Sequence, residues 1–355
     1  MNDQLLLYTY PLECMAFGDS LLISRGANRF VVEGQQGVAF LRLIIALADT
    51  GIRMSELLEE FAQPDHAYVE QLVQALVNRR FARHSDQQEP PDPGESPEDL
   101  FFWHFDSNQE RYRQLRQTSP IVLVGLNLLS LNMRDALLRN GFEDVRFIDD
   151  PFVRDSALHG SPELEPLQAE IHSVESLEAM QLASTQAKPL VVICSDRGPT
   201  PASTTWNAWC LERGWPLLPV VFGNFRCGIG PLVMDATTPC LECLSARENS
   251  NLNNAQLDRA WNNRPPEGRV ADRAYLDAML LSVAGMATFE IIKLLAGLTP
   301  PPVAEVIDYA LLETSVRRHP VLKIPRCPAC SSTVERPTLN ISRDAFRKKL
   351  MANGR

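Results

Sequence analysis

The sequence has no excess of basic residues, and this argues against nucleic acid as a partner. Its 355 residues include 34 Lys and Arg against 44 Asp and Glu, a net charge of −10. A nucleic-acid-binding face needs concentrated positive charge. The apolar share of 45% and the charged share of 22% are typical of a soluble globular protein. A chain of this length predicts about two domains.

Long apolar runs are also missing. The longest candidates, Leu41–Ala46 and Ile121–Val124, are much shorter than the ~20 residues of a membrane-spanning helix. The first residues, Met1-Asn-Asp-Gln, lack the basic start of a signal peptide. We therefore expect no membrane partner and a cytoplasmic location.

Histidine is scarce, and its six copies show no metal or triad spacing, but cysteine is informative. Cys240 and Cys243 form one Cys-x-x-Cys pair, and Cys327 and Cys330 form another. Two such pairs are the ligand set of a closed, tetrahedral zinc site, whereas disulfides are rare in the cytoplasm. The sequence therefore predicts a structural zinc ion that joins two segments 84 residues apart, counted from Cys243 to Cys327. Free thiols are the alternative.

A stretch without a single basic residue divides the chain. Residues 86–100 contain four prolines and six carboxylates, the composition of a solvated, semi-extended linker. This predicts a small domain at 1–85 and a larger one at 101–355.

The first domain combines short strands with amphipathic helices, an α+β pattern typical of a winged helix. The expected strands are 13–17, 21–24 and 29–33, and the expected helices are 37–48, 54–61 and 65–81. Such a domain binds a peptide, binds DNA or serves as a structural cap. Seven basic against ten acidic residues in 1–85 disfavour DNA.

The order of these elements, ending in Leu-Val-Gln-Ala-Leu-Val-Asn-Arg-Arg-Phe-Ala-Arg at 72–83, resembles the PqqD-like peptide-recognition domains of peptide natural-product biosynthesis. The resemblance implies that a leader peptide adds as an extra strand beside the third strand, against the last helix. The expected peptide-binding residues are Arg29, Phe30, Val31, Val32, Leu72 and Leu76.

Beyond the linker, alternating strands and helices predict a doubly wound, Rossmann-like α/β domain. A buried strand at 121–124 leads through a turn into a helix at 132–140. The second strand, 145–148, ends at Asp149-Asp150, and the third, 190–194, ends at Ser195-Asp196. This is the nucleotide-binding half of such a fold.

The phosphate loop of this fold lacks two of its three glycines. The G-x-G-x-x-G positions read Gly125, Asn127 and Ser130, which is weak evidence for ATP and Mg²⁺ and equally fits a plain strand-to-helix turn. Asp149 or Asp150 lies where an acidic residue holds a ribose, and Asp196 lies where Mg²⁺ or phosphate would bind. Either carboxylate can instead cap a helix.

Residues 108–335 resemble the ThiF/MoeB-like superfamily of ubiquitin-activating-type adenylating proteins. The resemblance rests on the paired cysteine knuckles, the degraded loop, Asp149-Asp150 and the helix at 287–297. The family's arginine is missing near Ser203-Thr204, and Ala157-Leu-His-Gly replaces its Asn-Leu-x-Arg-Gln motif. Without these charges a transferring phosphate is not stabilised, so the pattern favours a fold kept for binding.

A PqqD-like domain ahead of a degenerate, zinc-bearing ThiF-like domain is similar to the partner proteins of azole- and azoline-forming cyclodehydratases. These belong to thiazole/oxazole-modified microcin biosynthesis, a branch of ribosomal peptide natural products. The similarity implies two partners, a precursor peptide and a separate YcaO protein that uses ATP, and it leaves a homodimer open. The alternative is a true adenylating enzyme, which activates a carboxylate of a peptide or ubiquitin-like carrier with ATP and Mg²⁺.

Overall fold

The computed structural model describes residues 5–86, 96–105, 109–155, 158, 162–173, 188–262, 274–299 and 301–331. The chain forms two compact units, Met1–Gln109 and Glu110–Arg355. The elements of the first unit are β1 (Leu6–Thr9), β2 (Glu13–Phe17), β3 (Ser20–Arg25), β4 (Asn28–Glu33), α1 (Gln35–Ala48), β5 (Ile52–Arg53), α2 (Met54–Glu59), α3 (His66–Asn78), β6 (Ala82–Ser85) and α4 (Pro97–Phe105).

The described strands of the first unit form two three-stranded antiparallel sheets. Their strand orders are β5-β1-β6 and β2-β3-β4. The expected strands at 13–17, 21–24 and 29–33 form β2, β3 and β4, and the three expected helices form α1, α2 and α3 within a few residues. Leu41, Ile44, Val69 and Leu76 are buried in the core, each with its side chain fully inaccessible to solvent.

Helix α4 extends the first unit past the end of the expected linker. Residues 87–95 of that linker lie outside the described residues, but Pro97–Phe105 is helical. Ser96 Oγ accepts a hydrogen bond from Asp99 N at 3.1 Å, and Ser96 N donates to Asp99 Oδ2 at 3.2 Å, a reciprocal cap that starts the helix. The first compact unit, Met1–Gln109, includes this helix.

The second unit is built on an eight-stranded sheet. Its order is β14-β13-β12-β11-β10-β7-β8-β9, with β11 to β9 parallel and the other pairings antiparallel. The elements are α5 (Gln109–Thr118), β7 (Ile121–Val124), α6 (Leu128–Arg139), β8 (Val145–Asp149), β9 (Ile171–Ser173), β10 (Leu190–Ser195), α7 (Ala202–Arg213), β11 (Leu217–Gly223), β12 (Arg226–Ile229), α8 (Leu241–Ser250), α9 (Ala255–Asn262), α10 (Asp277–Ala296), β13 (Glu305–Ala310) and β14 (Ser315–Pro320).

The strand order reverses between β7 and β10. The chain runs outward from β7 through β8 to β9, then returns to place β10 on the other side of β7. Both central strands are buried along their whole length, as expected for parallel strands covered on two faces. In a doubly wound sheet, ligands bind outside the carboxyl ends of the strands at this reversal, so the turns after β7 and β10 form the candidate crevice.

Helix α10 is the described helix that is long and apolar enough to cross a membrane, which differs from the expectation that the chain has no such stretch. Its most apolar 18-residue window is 44% buried inside the protein, and it packs against α6. Glu290, within the helix, is buried and accepts a hydrogen bond from Lys293 Nζ at 2.6 Å. The same length and composition occur in core helices of soluble proteins.

Candidate functional site

The turn between β7 and α6 is closed by the side chain of Asn127. Its Oδ1 accepts a hydrogen bond from Ser130 N at 3.0 Å and thereby caps α6. Its Nδ2 donates to Val153 O and to Cys194 O, both at 2.8 Å. Asn127 and Ser130 are fully buried. The amide thus fills the position at which a glycine would let a phosphate approach the backbone.

Gly125 is required where it stands. Its φ of +115° lies in a region that favours glycine, and a Cβ at this position would lie 2.8 Å from Cys194 O. The sharp turn and the close approach of β10 therefore both require glycine at this first position of the pattern. Neither reason involves a nucleotide.

Each predicted carboxylate at the crevice contacts another group of the chain. Asp149 forms two hydrogen bonds of 2.6 Å with the guanidinium group of Arg154. Asp196, which is 2% exposed, accepts a hydrogen bond from the Tyr275 hydroxyl at 3.2 Å. A ribose or Mg²⁺ would compete with these contacts.

Asp150, beside Asp149, anchors the loop that follows β8. Its Oδ1 accepts from Phe152 N and its Oδ2 accepts from Trp206 Nε1, both at 2.8 Å. This geometry is that of a buried turn-capping carboxylate. Sequence reasoning named Asp150 as an alternative to Asp149 for the ribose position, and no local pattern pointed to Trp206.

The four predicted zinc ligands come together in the second unit. The Sγ atoms of Cys240 and Cys243 are 3.9 Å apart, and the Cys240–Cys327 and Cys243–Cys330 pairs are each 3.6 Å apart. Four sulfurs bound at about 2.3 Å to one tetrahedral zinc ion lie about 3.8 Å from one another, whereas disulfide sulfurs lie about 2.0 Å apart. All four side chains are buried. The donor set fits structural zinc.

Backbone hydrogen bonds support both knuckles. Ile324 N donates to Cys243 Sγ at 3.4 Å, a contact that favours a thiolate. Leu241 N, at the start of α8, donates to Asn207 Oδ1 at 3.1 Å. The cysteine cluster is therefore held by α7 and α8 as well as by its own turns.

The other buried cysteines are poor nucleophiles. Burial raises the pKa of Cys194 and of Cys227, and it raises the pKa of Cys210 to about 12. Cys194 and Cys210 are core residues, each 0% exposed. Cys227 lies in a glycine-containing segment whose sequence resembles a loop, but it belongs to β12 and is completely buried. Strand β12 lies between β11 and β13, and the alternation of side chains along it turns Cys227 toward the buried face of the sheet.

The strand β4 presents an edge that no other strand covers in the described part of the chain. Gly34 N donates to Asp19 O at 2.8 Å, and the β3–β4 register continues this pairing along the strand. Alternation in an antiparallel pair then turns the backbone N–H and C=O of Arg29, Val31 and Glu33 toward the open side. These three side chains are exposed, and that of Val31 is 47% exposed.

Two side chains on or directly after α3, those of Tyr68 and Arg79, lie near β4. The Arg79 guanidinium lies 4.7 Å from the centre of the Phe30 ring. At the other end of the helix, the Tyr68 hydroxyl and Val32 both pack against Gly37, where an added Cβ would lie 2.7 Å and 2.9 Å from them.

Of the predicted peptide-binding residues, Phe30 and Val32 therefore lie where α3 faces β4. Leu72 and Leu76 lie in the domain core, with exposures of 5% and 0%. Sequence reasoning placed the peptide edge against a helix at 68–81 but did not select Tyr68 or Arg79 within it, because helical periodicity marks the buried face of a helix and not its flanks.

No protein-family model and no curated protein sequence matches the chain. Among solved structures, E. coli MccB with AMPCPP and MccA aligns at a TM-score of 0.60 and 14% identity, over 92% of this chain and 100% of that chain. The heterocyclase TruD aligns at 0.58 and 17%, over 92% of this chain and 43% of that one. The chain has the fold of MccB and TruD. A heterocyclase in complex with substrate and cofactor aligns at 0.56 and 16%, over 92% and 40%.

This likeness establishes the fold, because every identity is below 25%. The chain spans less than half the length of the two heterocyclases and the whole length of MccB. The predicted resemblance to proteins of microcin and heterocycle biosynthesis is confirmed at the level of the fold. The predicted α/β class is likewise confirmed, with its large, mainly parallel sheet.

Proposed function

We propose that this protein is a peptide-binding subunit of a heterocycle-forming system. It captures the leader segment of a ribosomally made precursor peptide and presents the rest of that peptide to a YcaO-type cyclodehydratase. The observation that carries the proposal is the open edge of β4, flanked by α3. Its support from known structures is the shared fold with TruD and with MccB, which has been solved with MccA.

The peptide would bind by adding a strand to β4. The outward N–H and C=O groups of Arg29, Val31 and Glu33 supply main-chain hydrogen bonds for this. Side chains of the added strand that point inward meet Phe30 and Val32, beside α3. Specificity would come from these contacts, while the main-chain bonds are indifferent to sequence.

The crevice at the strand reversal supports a binding role over adenylation. Asn127 occupies the phosphate position, and Asp149 and Asp196 contact Arg154 and Tyr275. Adenylyl transfer needs positive groups aimed at the reacting phosphate, and the Arg154 guanidinium is instead engaged by a carboxylate. ATP and Mg²⁺ are accordingly left to the YcaO partner.

The zinc ion has a structural task in this proposal. Cys240, Cys243, Cys327 and Cys330 would hold it with no ligand position open to substrate, so it contributes folding free energy and no chemistry. The cation joins α8 to the segment after β14.

The alternative is an adenylating enzyme, favoured by the full-length match to MccB, which has been solved with ATP. One pair of measurements separates the two functions. The purified full chain is titrated against a fluorescent leader peptide encoded beside its gene, and ATP–pyrophosphate exchange is measured with the same peptide. We expect binding without exchange. Peptide-dependent exchange by the chain alone would establish the adenylating enzyme instead, and absence of binding would remove the recognition role.

A further inference from the structure

Two consecutive residues of α7 contact different parts of the second unit. Asn207 Oδ1 accepts a hydrogen bond from Leu241 N, directly after the first zinc ligand, Cys240. Trp206 Nε1 donates to Asp150 Oδ2 at 2.8 Å, on the loop at the rim of the crevice. One rigid helix therefore touches both the cysteine cluster and the crevice.

Burial makes both contacts consequential. Asn207 is 0% exposed and Trp206 is 2% exposed. The second polar atom of Asn207, Nδ2, is buried and has no hydrogen-bond partner among the described residues. Leaving a buried donor unpaired is destabilising. Asn207 carries this cost while its Oδ1 accepts the hydrogen bond from Leu241 N.

The path continues to the strand reversal. Val153, Trp206 and the four zinc-ligand cysteines belong to one buried apolar cluster. Val153 O in turn accepts the hydrogen bond from Asn127 Nδ2 that closes the turn after β7. Packed side chains and hydrogen bonds thus run without a gap from the cysteine cluster to the crevice.

We propose that zinc binding orders the crevice rim, residues 149–155, through Asn207 and Trp206 of α7. The ion would hold the first cysteine pair in place. Leu241 N, next to that pair, then holds α7 in position through Asn207, and Trp206 of the same helix holds Asp150. Both residues are positioning residues and neither touches the metal. The proposal depends on zinc at the four cysteines and is independent of peptide binding by β4.

Hydrogen exchange in the full-length protein tests this coupling, since physical continuity alone does not demonstrate it. The reporters are Phe152 N, which donates to Asp150 Oδ1, and Asp155 N, which donates to Leu126 O at 2.7 Å. Exchange is measured by mass spectrometry before and after zinc is removed with a chelator, and native mass spectrometry records the metal content. Removal should speed exchange at 149–155 on the order of fivefold to tenfold, the effect of losing about one buried hydrogen bond. Exchange in β10 should stay slow.

Two matched variants locate the coupling. Trp206→Phe keeps an aromatic ring but loses the donor to Asp150, so rim exchange should be fast with zinc bound and should not rise further when zinc is removed. Trp209→Phe alters a half-buried tryptophan one turn away on the same helix, whose ring centre lies 5.4 Å from that of Trp206, and it leaves the Trp206 donor to Asp150 in place. It should behave like the unmodified protein.

Several results would overturn the proposal. Rim exchange that stays unchanged after verified loss of zinc would show that no coupling exists. Exchange that rises equally in β10 would show global unfolding instead of control of the rim. Trp206→Phe protein that still responds to zinc would remove the path through α7. A purified chain without zinc would refute the metal prediction and, with it, the coupling.

Discussion

Asn127 Nδ2 donates a hydrogen bond of 2.8 Å to the carbonyl oxygen of Cys194. This bond joins the turn after β7 to the carboxyl end of strand β10. The two residues flank the strand reversal, where a Rossmann-like fold binds its nucleotide. The Asn127 side chain therefore links the two sides of the crevice by hydrogen bonds.

Restoring glycine at this position should weaken the protein without creating an adenylating enzyme. Asn127→Gly removes a helix cap and two buried side-chain hydrogen bonds, so the free energy of unfolding should fall by about 2–4 kcal/mol. Chemical denaturation measures the loss, and ATP–pyrophosphate exchange should remain absent. Asn140→Gly, at the exposed C-terminal end of the same helix, is the control and should be nearly neutral. Exchange activity in the Asn127 variant would contradict the proposed function.

The β4 edge can be tested by blocking a single outward N–H group. Val31→Pro removes the N–H that points to the open side and spares the bonds to β3, so leader-peptide affinity should fall at least about tenfold. Val31→Ala keeps the N–H and loses only an exposed side chain, so it should bind within about threefold of the unmodified protein. Fluorescence anisotropy measures both. Equal affinities for the two variants would mean that the peptide does not add to β4.

Removing one zinc ligand should destabilise the second unit. Cys327→Ser leaves three thiolates, so native mass spectrometry should detect no zinc, and the free energy of unfolding should fall by several kcal/mol. Cys14→Ser changes an exposed cysteine of the first unit and should leave metal content and stability as they are. Full stability of the Cys327 variant without metal would show that the cluster does not depend on zinc.

Helix α4 should be needed for stability of the first unit. The Arg25 guanidinium lies 5.1 Å and 5.3 Å from the ring centres of Tyr10 and Trp103, and Trp103 Nε1 donates to Arg80 O at 3.1 Å. Trp103→Ala should lower the free energy of unfolding by about 2–4 kcal/mol, whereas the exposed Phe105→Ala should change it by less than about 1 kcal/mol. Equal, small effects on thermal unfolding would assign α4 to the linker.

Thiol alkylation should find one fast site. Burial raises the pKa of the Cys14 thiol above its ordinary value, with Arg42 opposing the shift, so the thiol form dominates near neutral pH and the alkylation rate should rise steadily as the pH is raised. Cys194, Cys210 and Cys227 should be protected by burial. Mass spectrometry of the folded protein should detect a single adduct, absent from Cys14→Ala. A second adduct that forms at the same rate would reveal a reactive thiol elsewhere.

Local patterns in the sequence predicted most elements and the cysteine cluster. Val122, Val124, Val191 and Ile193 lie in continuous apolar runs, as buried parallel strands require, and the Cys-x-x-Cys spacing identifies a metal-binding turn without knowledge of its partner. These patterns depend only on residues close together in the chain, so a single sequence is enough to detect them.

The features that sequence reasoning missed depend on distant contacts. In the sequence, Asn127 only marks a position where the G-x-G-x-x-G pattern has glycine. Its hydrogen bond across the crevice depends on Cys194, 67 residues away. Strand β1 has only four residues and lacks clear alternation, so it is recognisable only through its pairing with β5 and β6. Helix α4 begins at Pro97, inside the expected linker, and is stabilised by Arg25 and Arg80, which no nearby pattern links to it.

The distance between the two cysteine knuckles also sets an order of events during synthesis. Cys327 follows Cys243 by 84 residues, which at about 5–20 residues per second take roughly 4–17 s to translate. Throughout that interval a nascent chain offers only two thiolates of the final four. Assembly of the four-cysteine cluster is therefore a late step, and it closes a loop that contains α9, α10, β13 and β14 after the parallel strands have already been made.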